Sequence, residues 1–149
     1  MKNKIIYLLP LLLVLIAGCT KKYNDPDKWA NDSGYPLGMF TGTFVRIHKN
    51  PVTLKYDTVT AALKLVLSTN TGFAVSGDTT IHAGSYGSFK EDITNIWFID
   101  VTSPVNYTPK KTHLSGTYTY TYNRSYLMIE NAVKSDTLSC VYHLTKMKY

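Results

Sequence analysis

The stretch His113-Leu-Ser-Gly-Thr-Tyr-Thr-Tyr-Thr-Tyr122, followed by Asn123-Arg124 and then by Ser125-Tyr-Leu-Met-Ile-Glu-Asn-Ala132, decides the fold class. Tyr118, Tyr120 and Tyr122 alternate with Thr117, Thr119 and Thr121. One face of an extended chain therefore carries phenols and the other carries β-branched hydroxyl residues. A period of two marks a strand, whereas a helix gathers its apolar residues at spacings of three and four. Asn123-Arg124 between two such runs reads as a two-residue hairpin turn.

The same alternation extends outward in both directions. Asp136 to Met147 forms a last strand with Leu138, Cys140, Tyr142 and Leu144 on one face. Ile93 to Val101 is the most apolar strand, and Met39 to His48 is the first, ended by Lys49-Asn50-Pro51. Val52 to Ser68 is long: Leu54 and Tyr56 share one parity, while Val59, Ala61, Leu63, Leu65 and Leu67 share the other. That change predicts a bulge or bend near Asp57-Thr58. Thr71 to Ser76 and Thr79 to Tyr86 are expected as short strands around a Gly77-Asp78 turn. Gly84 to Gly87 is expected as a bend or a close backbone approach, Phe89 to Asp92 as a short helical turn, and Thr102 to Lys111, with two prolines, as a loop. About eight short antiparallel strands make an all-β domain. An up-and-down barrel is the expected architecture, with a β-sandwich as the alternative.

The N-terminus is of another kind. Met1-Lys2-Asn3-Lys4 is basic, Ile5 to Ile16 is almost wholly apolar, and Ala17-Gly18 are small. These are the three regions of a secretory signal peptide. The apolar run is short for a bilayer span, which takes about 20 residues. Ile16-Ala17-Gly18-Cys19 resembles the lipobox of bacterial lipoproteins. The resemblance implies cleavage after residue 18 and a lipid-bearing Cys19. Loss of Lys2 and Lys4 would lower the formal charge of +6 by two. Residues 19–36 are polar and rich in turn formers, as a flexible tether is. Lys21-Lys22 would lie beside the lipid, and Trp29 is the odd residue there. Residues 37–149 form one domain by size. With Cys19 lipidated, Cys140 has no partner for a disulfide, and its place in an apolar alternation reads as a small buried hydrophobe.

The chain also resembles the small lipocalin-like β-barrel lipoproteins of Gram-negative bacteria. Phe40-Thr41-Gly42-Thr43-Phe44, Ile96-Trp97-Phe98-Ile99-Asp100, Leu114-Ser115-Gly116-Thr117-Tyr118-Thr119-Tyr120 and Leu127-Met128-Ile129 carry the resemblance, over roughly 37–149. Thr43-Phe44 follow Gly42 where a lipocalin has Gly-x-Trp. The resemblance implies an internal ligand cavity and no defined activity.

No constellation for chemistry stands out. His48, His82, His113 and His143 are scattered, without metal-ligand spacing. No Gly-x-Ser-x-Gly elbow occurs, and Glu91-Asp92 has no evident converging partner. No catalytic residue, metal ligand or cofactor is assigned, and an enzyme is not expected. Trp97, Tyr118, Tyr120, Tyr122 and Tyr142 are the candidates to line a ligand cavity. The first expectation is thus a non-catalytic binding module for a small apolar or glycan-like ligand, held on the bacterial outer membrane by its lipid. The second is an envelope interaction protein that docks on a larger partner. The third is a periplasmic enzyme inhibitor that uses the projecting N-terminal segment. Dispersed charge and an external location disfavour nucleic acid. The face ending at Tyr149 (Met147, Thr145, His143 and Val141) is too polar for a lipid-facing strand.

Overall fold

A computed structural model describes residues 34–103, 111–133 and 135–148. The expected signal peptide (1–18), Cys19, most of the expected tether with Trp29, the two prolines of the 102–111 loop, and Tyr149 lie outside the described residues.

Eight strands follow in order: β1 (Gly38–Lys49), β2 (Tyr56–Ser68), β3 (Gly72–Gly77), β4 (Tyr86–Glu91), β5 (Asn95–Asp100), β6 (Gly116–Tyr122), β7 (Tyr126–Asn131) and β8 (Leu138–Lys146). Each pairs antiparallel with the next, and β8 pairs with β1. The result is a closed up-and-down barrel, the expected architecture, and not the alternative sandwich. Closure removes the unpaired outer edges that would template association.

The period-two pattern explains the two surfaces. Phe40 and Phe44 on β1, Leu63, Leu65 and Leu67 on β2, and Cys140, Tyr142 and Leu144 on β8 all point inward and are buried. Thr41 and Thr43 on β1, Thr117 on β6, and His143 and Thr145 on β8 point outward and are exposed. Apolar inside and polar outside is the reverse of a transmembrane barrel. The interior is filled by rings that meet edge to face or tilted. Phe73 touches Phe98 at 5.0 Å between centroids, Phe98 touches Tyr118 at 5.8 Å, Tyr118 touches Tyr142 at 6.0 Å, and Tyr142 touches Phe44 at 4.9 Å. Each such side chain contributes roughly 1.5–3 kcal/mol by leaving water, and offset or edge-on ring pairs add to that. Gly42 lets β1 come close to β8: a Cβ there would run into the backbone carbonyl of His143.

Several expectations from sequence need correction. β1 and β2 pair in one unbroken register from Gly38↔Leu67 to Lys49↔Tyr56, so no bulge lies near Asp57-Thr58. The parity change arises because Val52 and Leu54 belong to the turn that precedes β2. Thr79 to Ser85 is not a strand. It is a connection with a single bridge, His82↔Thr112, because His82 is drawn inward and breaks the ladder. Phe89 to Glu91 is strand and not a helical turn: Phe89 pairs with Phe98 and Glu91 with Ile96. At the β6–β7 hairpin, Arg124 takes a φ of 73°. Asn123 Oδ1 accepts from the backbone N–H groups of Ser125 and Tyr126, so the turn also includes Ser125.

Topology gives the barrel two unlike ends. The chain enters at Gly34 beside the tight β2–β3, β4–β5 and β6–β7 turns, here termed the tether end. The opposite end, the mouth, gathers the β1–β2 turn and the longer β3–β4, β5–β6 and β7–β8 connections.

Candidate functional site

The candidate site is a cleft at the mouth. It is open to solvent, encloses about 550 Å³, and is lined by Arg46, His48, Asp57, Ser103, Lys111, Thr112, His113, Ser115 and Leu138. Arg46 and His48 have the inward parity of β1, near its mouth end, where the barrel ceases to be filled by rings. Arg46 Nη1 donates to Thr112 Oγ1 at 3.3 Å. Thr112 is itself fixed by the β3–β4 connection: its N–H donates to the Ile81 carbonyl at 3.0 Å, and its carbonyl accepts from Ala83 N–H at 2.8 Å.

Asp100 organises the other wall. Its Oδ1 accepts from the backbone N–H and the hydroxyl of Thr102, at 2.7 and 2.6 Å. Its Oδ2 accepts from His113 Nδ1 at 2.7 Å. The Asp100 side chain is fully buried, whereas that of His113 keeps 13% exposure at the cleft. A buried carboxylate needs such partners, since an unpaired one is costly. With Nδ1 committed to Asp100, Nε2 is the ring atom left for a ligand.

Beneath the cleft lies a buried polar chain. His82, with no exposed surface, donates from Nδ1 to the Ala83 carbonyl at 2.6 Å. Its Nε2 then accepts from the Tyr142 hydroxyl at 2.9 Å. The Tyr142 ring in turn meets that of Tyr118 edge-on, with centroids 6.0 Å apart. Burial pushes Tyr118 up to about 12 and Tyr142 well above the usual phenol range. Burial holds His82 below the ordinary imidazole value and raises the Cys140 thiol. These groups are neutral scaffolding, satisfied by one another.

The lining therefore offers cations and donors. Arg46 and Lys111 bring a guanidinium and an ammonium group, His48 and His113 bring imidazole rings, and Ser103, Thr112 and Ser115 supply hydroxyls. Asp57 is the one carboxylate among these lining residues. Such a surface suits a polar ligand with negative charge. Among the described residues, no hydrogen bond joins the His113 ring to a Ser or Thr hydroxyl, and no group of three His, Cys, Asp or Glu side chains converges as for a metal.

The five cavity candidates from sequence do not form one site. Tyr118 and Tyr142 meet inside the barrel, where their rings fill space. Tyr120 and Tyr122 sit at the tether end, half-buried. Tyr120 donates to the Asp92 carbonyl at 2.6 Å and Tyr122 to the Arg124 carbonyl at 3.2 Å. Trp97 points outward, 38% exposed, between the inward Ile96 and Phe98, because the β5 alternation gives it the outer parity. A larger groove of about 910 Å³ opens on the barrel side between Tyr35, the Ser68–Gly72 turn and β4. Its charged side chains, Lys90 and Glu91, offset each other, so it lacks the convergent cations of the mouth. Sequence reasoning missed the His113–Asp100 pair and Arg46. Only the Asp100-x-Thr102 spacing, typical of an Asx turn, marked Asp100 as anything but a strand residue.

Comparison with known proteins brings no match: no family model fits the chain, and no curated protein or solved structure is similar to it. Fold and site therefore rest on the residues themselves. They define a closed eight-stranded up-and-down barrel with a filled interior and a polar cleft at one end.

Proposed function

We propose that the chain is a lipoprotein of the bacterial cell envelope, anchored to the outer membrane by a lipid on Cys19. Its barrel is a non-catalytic binding module. The ligand is glycan-like, polar and acidic, and it is held in the mouth cleft and not along the barrel axis. The observation that carries this reading is the contrast between the two places. The axis is packed with Phe44, Phe98, Tyr118 and Tyr142, while the cleft is open and presents Arg46, Lys111 and His113. An apolar ligand would need space that the rings occupy. A carboxylated sugar finds cations and hydroxyls side by side in the cleft, and a His held in place by Asp100.

Two experiments test the two halves of the proposal. Replacing Cys19 with Ser should abolish fatty-acid labelling and leave the precursor uncut after residue 18; unchanged lipid labelling and processed mass would refute the anchor. Calorimetric titration with a hexuronate oligosaccharide should show salt-sensitive binding that Arg46→Gln and His113→Gln each weaken. Loss of a charge-assisted hydrogen bond contributes about 1.5–3 kcal/mol, which is roughly tenfold or more in Kd. Equal binding of a neutral oligosaccharide would refute the cleft reading.

A second reading has one observation in its favour. Tyr86, Trp97, Ile99 and Val101 form an exposed apolar strip on the outer face of β4 and β5. Such a strip suits an envelope protein that docks on a larger partner.

A further inference from the structure

The mouth carries a second feature that the cleft does not explain. In the β1–β2 turn, Val52 is 87% exposed, Leu54 63% and Tyr56 66%, and Val133 in the β7–β8 connection is 80% exposed. Scattered exposed apolar residues are ordinary. These four share one end of the barrel, in two neighbouring connections joined by a Lys49 N–H to Thr137 carbonyl bond of 2.8 Å.

The turn is also rigid. Asn50 Oδ1 accepts from the N–H groups of Val52 and Thr53, each at 2.9 Å. The Asn50 carbonyl accepts from Leu54 N–H, and Asn50 N–H donates to the Lys55 carbonyl, both at 2.9 Å. Leu54 holds a φ of 57°, a left-handed conformation that costs energy for any residue with a Cβ. The chain thus holds a bulky apolar side chain out in water on a fixed, strained backbone.

The surrounding chemistry identifies what covers it. Lys49 and Lys55 flank the turn, no carboxylate lies between Lys49 and Tyr56, and Lys49 Nζ sits 5.5 Å from the Tyr56 ring centroid. Apolar tips with a collar of Tyr and Lys match the layers of a lipid surface. Aliphatic groups enter the acyl boundary, aromatics sit at the headgroup level, and ammonium groups snorkel to anionic phosphates. The length of chain outside the structure permits this contact. Residues 20–33 could reach at most about 45 Å at roughly 3.3 Å per residue. The 12 residues of β1 run about 40 Å along the strand, and less along the axis because barrel strands tilt. A chain anchored at Cys19 can therefore lay its mouth on the bilayer that holds it.

We propose that the Val52–Tyr56 turn, with Val133, is a membrane-docking tip for an anionic lipid bilayer. The tip adjoins the ligand cleft, which His48 and Asp57 line, so bilayer contact and oligosaccharide entry compete at the mouth; the anchor is used only for reach.

The test places an environment-sensitive fluorophore on Val52→Cys in the chain from residue 19 onward carrying Cys19→Ser, free of the apolar leader, where Cys140 is buried. A second label on Ile99→Cys reports the other exposed apolar strip, and Thr53→Cys replaces Val52→Cys if that variant misfolds. On phosphatidylglycerol-containing vesicles the turn label should shift to the blue and brighten severalfold, with the Ile99 label unchanged. Leu54→Asp should weaken the response about tenfold or more. An unshifted turn label, an equal shift at Ile99, or an equal response on purely zwitterionic vesicles would overturn the proposal. So would a shift that follows protein concentration without vesicles, which would assign the tip to a second copy of the chain.

Discussion

His82 fills the barrel interior beneath the open mouth cleft. It is wholly buried, 4.9 Å from the Phe44 ring and 5.6 Å from the Tyr142 ring between centroids. Truncation to Ala removes an aromatic-sized group from a packed interior, which costs about 3–5 kcal/mol, and it strips the Tyr142 hydroxyl of its acceptor. That is a large part of the roughly 5–15 kcal/mol that holds a domain together. The pH dependence is the sharper test. His82 is neutral in the fold because desolvation lowers its affinity for a proton. Protonation would also place an N–H on Nε2 against the hydroxyl proton of Tyr142. The unfolded chain binds that proton near pH 6.5, its ordinary value. As pH falls below about 6.5 the unfolded state therefore carries the extra proton, and stability drops by up to about 1.4 kcal/mol per pH unit until the folded-state value is reached. Above that window the contribution is complete. Urea unfolding, followed by tryptophan fluorescence from pH 8 to pH 4.5, should show this slope in the wild type. His82→Gln lacks the titrating group while His48, His113 and His143 remain, so the difference between the two curves isolates His82. Parallel curves would refute the argument.

Other expectations concern the scaffold. Gly42→Ala should destabilise at the upper end of roughly 1–3 kcal/mol, because the clashing atoms are β8 backbone at His143 and Leu144, with no side chain to yield; outward Thr43→Ala should stay within about 0.5 kcal/mol in the same unfolding assay. Tyr142→Phe should cost about 1–3 kcal/mol by orphaning His82 Nε2, and a double-mutant cycle with His82→Gln should be non-additive. Cys140, buried with its thiol pushed up, should react with a thiol reagent at pH 8 far more slowly in the native chain than in urea.

How much of this was legible in the sequence differs by feature, for physical reasons. The alternation in β1, β6 and β8 is strict because each strand has one face in the core and one in water, so strand existence and inward parity could be read directly. Thr79 to Ser85 could not. It looks extended, but it is ordered by a buried histidine whose role depends on Tyr142, 60 positions away. Trp97 misled for a related reason: aromatics are usually inside, yet strand parity between Ile96 and Phe98 outweighs hydrophobicity. The mouth cleft was invisible, since Arg46, Asp100 and His113 are single polar residues on β1, β5 and the β5–β6 connection. Only barrel closure, a property of all eight strands, brings them together.

The central claim is that ligand enters the mouth cleft while the axis stays filled. Backbone and methyl NMR shifts during titration with a hexuronate oligosaccharide test it most directly. The account predicts perturbations at Arg46, His48 and Lys111 to Ser115, with the methyls of Leu65, Ile129 and Leu144 unmoved. Perturbation of those interior methyls, or none at Arg46 and His113 at saturating ligand, would contradict it.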